Sequence, residues 1–227
     1  MSMPYAKKAS ALAISLLAVT ASQSALAHEN GHDHDHDHGH DHSHGHDHDS
    51  DIYAGYFDDS QVEDRELSDW EGDWQSVYPY LQDGTLDPVM AHKAEKNDEK
   101  TAEEYKAYYE RGYKTDVGRI VIDGSTVVFH EDGDTMSGEY AYDGYEILNY
   151  EAGNRGVRFI FELQEGGDEL PEYIQFSDHS IYPTDAGHYH LYWGDDRAAL
   201  LDEVKHWPTY YPSSLSGEEI VREMKAH

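Results

Sequence analysis

Cysteine is absent from all 227 residues, which excludes disulfides, thiolate zinc sites and cysteine nucleophiles. Basic charge is scarce. Only 16 Lys+Arg stand against 47 Asp+Glu, a formal net charge of −31 with histidine neutral. A surface this acidic repels phosphate, which argues against nucleic acid and anionic membrane as partners and favours cations. Long apolar runs are also missing. The one candidate, Ala9 to Ala21, follows Lys7 and Lys8 and precedes Ala25-Leu26-Ala27. It is too short to span a bilayer and has the layout of a secretory signal cleaved after Ala27. Residues 1–27 therefore read as a signal peptide, and the remainder as exported to a periplasm or comparable space, with no membrane insertion after cleavage. Acidity does not imply general disorder here, because 19 tyrosines supply enough apolar surface for a core.

Histidine is in excess. Ten of the 17 histidines fall in one tract: His28, His32, His34, His36, His38, His40, His42, His44, His46 and His48, alternating mostly with Asp and Gly. Residues 28–51 have nothing apolar to bury and read as a disordered arm. Neutral imidazole suits zinc, copper and nickel, and neighbouring carboxylates add attraction. Metal capture in many interchangeable arrangements accounts for ten imidazoles better than a solubilising or pH-responsive tail does.

From Ile52 to His227 the composition is that of one globular domain. Thr101-Ala102-Glu103-Glu104 reads as a capping box opening a helix with Ala102, Tyr105, Tyr108 and Tyr109 on one face. Short strands follow: 117–122 and 126–131 around Asp123-Gly124, then 136–142 and 145–150 around a second hairpin signal, Asp143-Gly144. Segments 157–163, 172–179 and 188–193 continue the series. With a strand at Trp74 the total is eight, which closes naturally into a small antiparallel barrel. Two helices are expected at the end, over 196–206 and after Ser216. Gly72-Asp73-Trp74 has the G-x-W form of the first strand of lipocalin-like barrels.

The segment from Phe176 to His190 carries the chemistry. His188 and His190, at i and i+2 of a strand, project to one face. His179 ends the preceding strand, and 183–187 can turn the chain back beside it. Three imidazoles plus a water or carboxylate complete a tetrahedral zinc site. Tyr189 and Leu191 take the opposite face, so the histidines are placed at the mouth of the barrel lumen. An H-x-H pair alone is as easily a pair of ordinary solvent-facing or core histidines; the His-rich arm on the same chain favours metal. His130 is a weaker, accessory candidate, while His92, His206 and His227 read as surface residues. No carboxylate stands out as a fourth ligand, leaving water as the default.

Leu67-Ser68-Asp69-Trp70-Glu71-Gly72-Asp73-Trp74-Gln75-Ser76-Val77-Tyr78-Pro79 resembles the opening of the ZinT (YodA) family. Tyr173-Ile174-Gln175-Phe176-Ser177-Asp178-His179, His188-Tyr189-His190 and Trp207-Pro208-Thr209-Tyr210-Tyr211-Pro212 resemble its closing half. The resemblance spans roughly residues 52–227. It implies a mainly β fold with added helices, a lipocalin-like (calycin) antiparallel barrel. It also implies binding of zinc, and of cadmium, in support of zinc uptake under scarcity. The periplasmic zinc-binding component of a zinc ABC importer is the partner it implies. The family's three metal-ligand histidines fall on His179, His188 and His190. Some members carry a cysteine pair forming a disulfide; this chain has none, and no ligand is lost with it. Two other classes compete: a zinc-dependent hydrolase or hydratase using the three-histidine site, and a lipocalin-type carrier of a small organic ligand. The chain offers no identifiable general base or substrate pocket for the first, so a non-enzymatic zinc-binding protein is the expectation, with cadmium, nickel and copper as other possible ions.

Overall fold

The computed structural model describes residues 50–203 and 205–226. The signal segment, the ten arm histidines, Val204 and His227 lie outside the described residues. Eight antiparallel strands close into a barrel in chain order: β1 Gly72–Ser76, β2 Val117–Asp123, β3 Thr126–Glu131, β4 Asp134–Asn149, β5 Arg155–Glu165, β6 Tyr173–Ser177, β7 Tyr189–Gly194 and β8 Thr209–Pro212. Pairing of Trp74 with Pro212 and of Ser76 with Tyr210 joins the last strand to the first. Period-two alternation sends one row of each strand inward. Trp74, Ile120, Phe129, Phe159, Phe161, Phe176, Tyr189 and Tyr210 are all buried in this interior.

The number of strands is as expected, but their identities differ at two places. Asp143-Gly144 is not a hairpin turn. Both flanking segments belong to β4, where residues 142 to 145 face residues 161 to 159 of β5. That is one extra residue on β4, a β-bulge, and Gly144 supplies the φ of +95° it requires. The strand thereby lost from the count is replaced by β8, only four residues long and bounded by Pro208 and Pro212, composition that argues against a strand.

Among the described residues five helices lie outside the barrel, four of them packed together beside β8. They are α1 Tyr78–Gln82, α2 Asp87–Lys96, α3 Ala102–Tyr113, α4 Arg197–Leu201 and α5 Gly217–Ala226. Val77, Leu81, Val89, Met90, Tyr113, Tyr211, Ile220 and Met224 form the core that α1, α2, α3 and α5 share, while α4 packs apart from them against β7. The capping box opens α3 as expected: Glu104 N–H donates to Thr101 Oγ1 at 3.2 Å, and Thr101 N–H donates to the Glu104 carboxylate at 2.9 Å. The helix expected over 196–206 is shorter. Asp196 caps α4 by accepting from Ala198 and Ala199 N–H. The Glu203 carboxylate then accepts from the N–H groups of Lys205 and His206, a local arrangement that competes with helix continuation.

The polar stretch before β1 also has structure. Residues 50–53 form a helical turn, so the fold takes in Ser50 and Asp51, which the sequence assigns to the arm. Further on, Arg65 is fully buried and ties this segment to the 178–186 loop. Among the described residues no helix is long and apolar enough to cross a membrane.

Candidate metal centre

The barrel's own alternation positions the histidines. Tyr189 and Leu191 on β7 are fully buried in the barrel interior, so His188 and His190 project outward, toward the helical layer. The expectation of a lumen-mouth site is therefore corrected. The apolar partners claim the lumen, and the imidazoles face a cavity of about 350 Å³ between β7, β8 and the helices. His179 joins them from the β6–β7 loop, where it adopts φ +68°. Asp178 stabilises that turn, its Oδ1 accepting from Ser180 N–H at 3.2 Å and from Arg65 Nη1 at 2.7 Å.

One ligand-capable atom from each of His179, His188 and His190 lies within 4.8 Å of the others. The ring centroids are separated by 5.7 to 6.0 Å. A tetrahedral ion with imidazole bonds of about 2.05 Å sets its nitrogens about 3.4 Å apart, so small side-chain rotations would bring the three onto one ion. Neighbours hold each ring. Tyr53 stacks on His179 at 4.4 Å, and Tyr211 stacks on His188 at 5.0 Å with an interplanar angle of 9°. His190 Nδ1 lies 2.8 Å from Thr209 Oγ1, whose hydroxyl donates to the Trp207 carbonyl at 2.9 Å. Thr209 oxygen must then accept from Nδ1–H, which leaves the Nε2 lone pair of His190 for a metal.

At His190 the electrostatics favour the neutral imidazole, the ligating form. Burial pushes the His190 pKa well below its ordinary value, and the nearby His179, His188 and Arg158 push it the same way. Lys93, also on the pocket wall, has its pKa lowered by burial. Aromatic side chains, among them Tyr108, Tyr109 and Trp207, make up much of the remaining wall, and among the described residues no Asp or Glu lines it.

A sequence profile described as "ZinT (YodA) periplasmic lipocalin-like zinc-recruitment" matches residues 48–227. The chain belongs to the ZinT (YodA) family. Its ZinT region is 69% identical over 176 residues to the "Probable metal-binding protein YrpE" of Bacillus subtilis, covering 78% of this chain and 70% of that protein. It is 55% identical over 180 residues to the "Zinc-binding protein AdcA" of Streptococcus pyogenes, covering 78% of this chain but only 35% of the relative. The chain thus spans about a third of the length of that streptococcal protein. The crystal structure of the Zn(II)-bound ZinT-like domain of Streptococcus pneumoniae AdcA superposes with a TM-score of 0.74 at 48% identity, covering 77% of this chain and 97% of that domain.

Of the remaining histidines in this ZinT chain, His130 on β3 lies 3.2 Å from Thr135 Oγ1 and does not line the pocket. His206 bonds the Lys114 carbonyl and is exposed. His92 is half-buried rather than a surface residue, with its Nε2 enclosed and without a partner among the described residues. Sequence reasoning missed Tyr53, Lys93, Thr209 and Tyr211 as parts of the centre. Thr209 and Tyr211 do fall within one of the strings that resembled the family. Tyr53 and Lys93 carry no such signal.

Proposed function

We propose that the protein binds zinc through His179, His188 and His190, outside the cytoplasm, and supports zinc uptake without catalysing a reaction. The observation that carries this reading is the convergence of three imidazoles on one point, with Thr209 fixing the tautomer of His190. The names of the relatives, zinc-binding or metal-binding proteins, agree with it. An imidazole-only set also accepts cadmium, nickel and copper, so selectivity for zinc rests on supply as well as on geometry. A hydrolase is disfavoured because, among the described residues, no carboxylate lines the pocket to act as a base toward a zinc-bound water. A small-molecule carrier is disfavoured because aromatic rings fill the barrel, Trp70 lying 4.7 Å from Phe176 and Phe176 5.1 Å from Tyr189.

Export by residues 1–27 places the protein in the periplasm in this reading, where the acceptor is the zinc-binding component of a zinc ABC importer. Mixing zinc-loaded protein with the apo acceptor, beside a chelator of matched affinity, tests the transfer. The expected transfer rate rises with acceptor concentration. A rate independent of the acceptor, and no faster than spontaneous release, would leave only a zinc buffer.

The arm acts as a low-specificity collector of ions. Deleting residues 28–47, which leaves the helical turn over 50–53 intact, is expected to lower the zinc equivalents bound by the mature chain to one. Equilibrium dialysis reads this directly. An unchanged stoichiometry would remove the collector role.

A further inference from the structure

Charge at the metal centre has the sign opposite to that of the chain. The sequence holds 47 Asp+Glu against 16 Lys+Arg, yet among the described residues the cavity wall carries Lys93 and no carboxylate. Lys93 reaches the cavity from α2, half-buried, with its ammonium 5.5 Å from the Tyr109 ring centroid. A second cation lies behind the histidines. Arg158, on β5, is only 2% exposed, although buried charges ordinarily have a partner of opposite sign. Among the described residues no carboxylate lies within ion-pair distance of either cation.

Arg158 approaches the site along the outer face of the barrel wall. Phe159 pairs with Phe176, and Ser177 with His190, so Arg158, Ser177 and His190 share one outward cross-strand row. The rows beside it, with Phe159, Phe176, Tyr189 and Leu191, point into the barrel. Ser177 is small, and the guanidinium lies 3.1 Å above the Tyr192 ring centroid on β7. Tyr192 shares the outward face of His190, two residues and about 7 Å along the strand. The charge is felt there, since Arg158 is among the groups that push the His190 pKa down. Its other close contact is neutral, the Glu203 carbonyl accepting from Nη2 at 3.1 Å. The Glu203 carboxylate is turned instead to the N–H groups of Lys205 and His206.

We propose that Lys93 and Arg158 hold down the zinc affinity of the three-histidine site by repulsion, so that a captured ion is also released. The proposal rests on the three-histidine reading above. Neutral imidazoles bring no negative charge to offset a divalent ion, and like charges in a partly desolvated site repel far more strongly than in water. The two levels of charge therefore act in opposite senses. The acidic surface gathers cations, while two cations at the site limit how long one is kept. The histidines decide which ions bind; Lys93 and Arg158 set how tightly.

The test follows the tightest zinc site of the mature full-length chain by competition with a chromophoric chelator, and zinc release by stopped flow into excess chelator. Lys93→Met keeps the aliphatic stem and removes the charge. It is expected to lower the dissociation constant at least about tenfold and to slow release by a similar factor. Lys93→Arg keeps the charge and should stay within about threefold of the parent. Arg158→Met should tighten the site as Lys93→Met does. Because Arg158 also supports the 203 carbonyl, circular dichroism melts of the metal-free variants come first, and if Arg158→Met does not fold, the Lys93 pair decides. Unchanged or weaker zinc binding in folded Lys93→Met would overturn the proposal; weaker binding would show that the ammonium anchors an anionic ligand of the ion. In a chain already carrying His188→Ala and His190→Ala, Lys93→Met should leave the remaining zinc sites unchanged. Persistence of the tight site in that His188→Ala, His190→Ala chain would instead overturn the three-histidine reading itself.

Discussion

Replacing Arg65 by Met should lower the melting temperature of the metal-free protein by about 10 °C, the largest stability loss we expect from a single substitution. The guanidinium is fully buried, and each of its three nitrogens donates a hydrogen bond. Its Nε donates to Asp69, Nη1 to Asp178 and Nη2 to the Thr184 carbonyl, each at 2.7 Å. Its flat face covers the Trp70 ring at 4.1 Å and lies 5.1 Å from Phe159. Methionine approximates the volume but strands the Asp178 carboxylate, whose side chain is only 2% exposed. Breaking a buried ion pair from one side costs about 3–5 kcal/mol. Lysine keeps the charge but loses the fork that reaches three acceptors, so Arg65→Lys should fall between. Removing the stranded charge as well, in Arg65→Met with Asp178→Asn, should recover part of the loss. Thermal melts followed by circular dichroism give all three values. A shift under about 3 °C for Arg65→Met would mean that the segment is held by something else. The same substitution should also weaken metal binding, because Asp178 and Thr184 bracket the turn that carries His179.

Nothing in the sequence marks Arg65 as a core residue. It sits in a polar stretch, and its three acceptors are brought together by tertiary contact alone. The same limit explains the other gaps. Helices α1 and α2 lie in a segment, 78–96, that buries only Leu81, Leu86, Val89 and Met90, too sparse a set to show a helical period. Asp143-Gly144 looks alike in a two-residue turn and in a bulge, since both use a glycine at positive φ. What was legible was the local pattern. Alternation along β7 places His188 and His190 together and opposite Tyr189 and Leu191, and the capping box marks the start of α3 to the residue. The same alternation also decides which side of the wall the histidines occupy, because the more apolar row of a small barrel fills its interior. A lumen-mouth site would need the histidine row inside, whereas Tyr189 and Leu191 fill the interior and leave the imidazoles outside.

That outward placement gives the second large effect, in which binding and folding separate. Replacing His188 and His190 together by Ala should weaken the tight zinc site by about 10⁴-fold, taking about 3 kcal/mol per ligand as an even share of the binding energy of a four-ligand site. The barrel should survive. The substituted side chains leave the helix-facing cavity, while Tyr189 and Leu191 remain packed in the interior. Thr209 still donates to the Trp207 carbonyl when His190 is gone, so no donor is orphaned. The metal-free variant should therefore melt within about 2 °C of the parent, in line with substitutions that leave the core untouched. Competition against a chromophoric chelator measures the affinity, and it should be run on the chain lacking residues 28–47 so that arm sites do not mask the loss. A loss below about tenfold, with the fold intact, would mean that His188 and His190 are not the ligands that hold the ion.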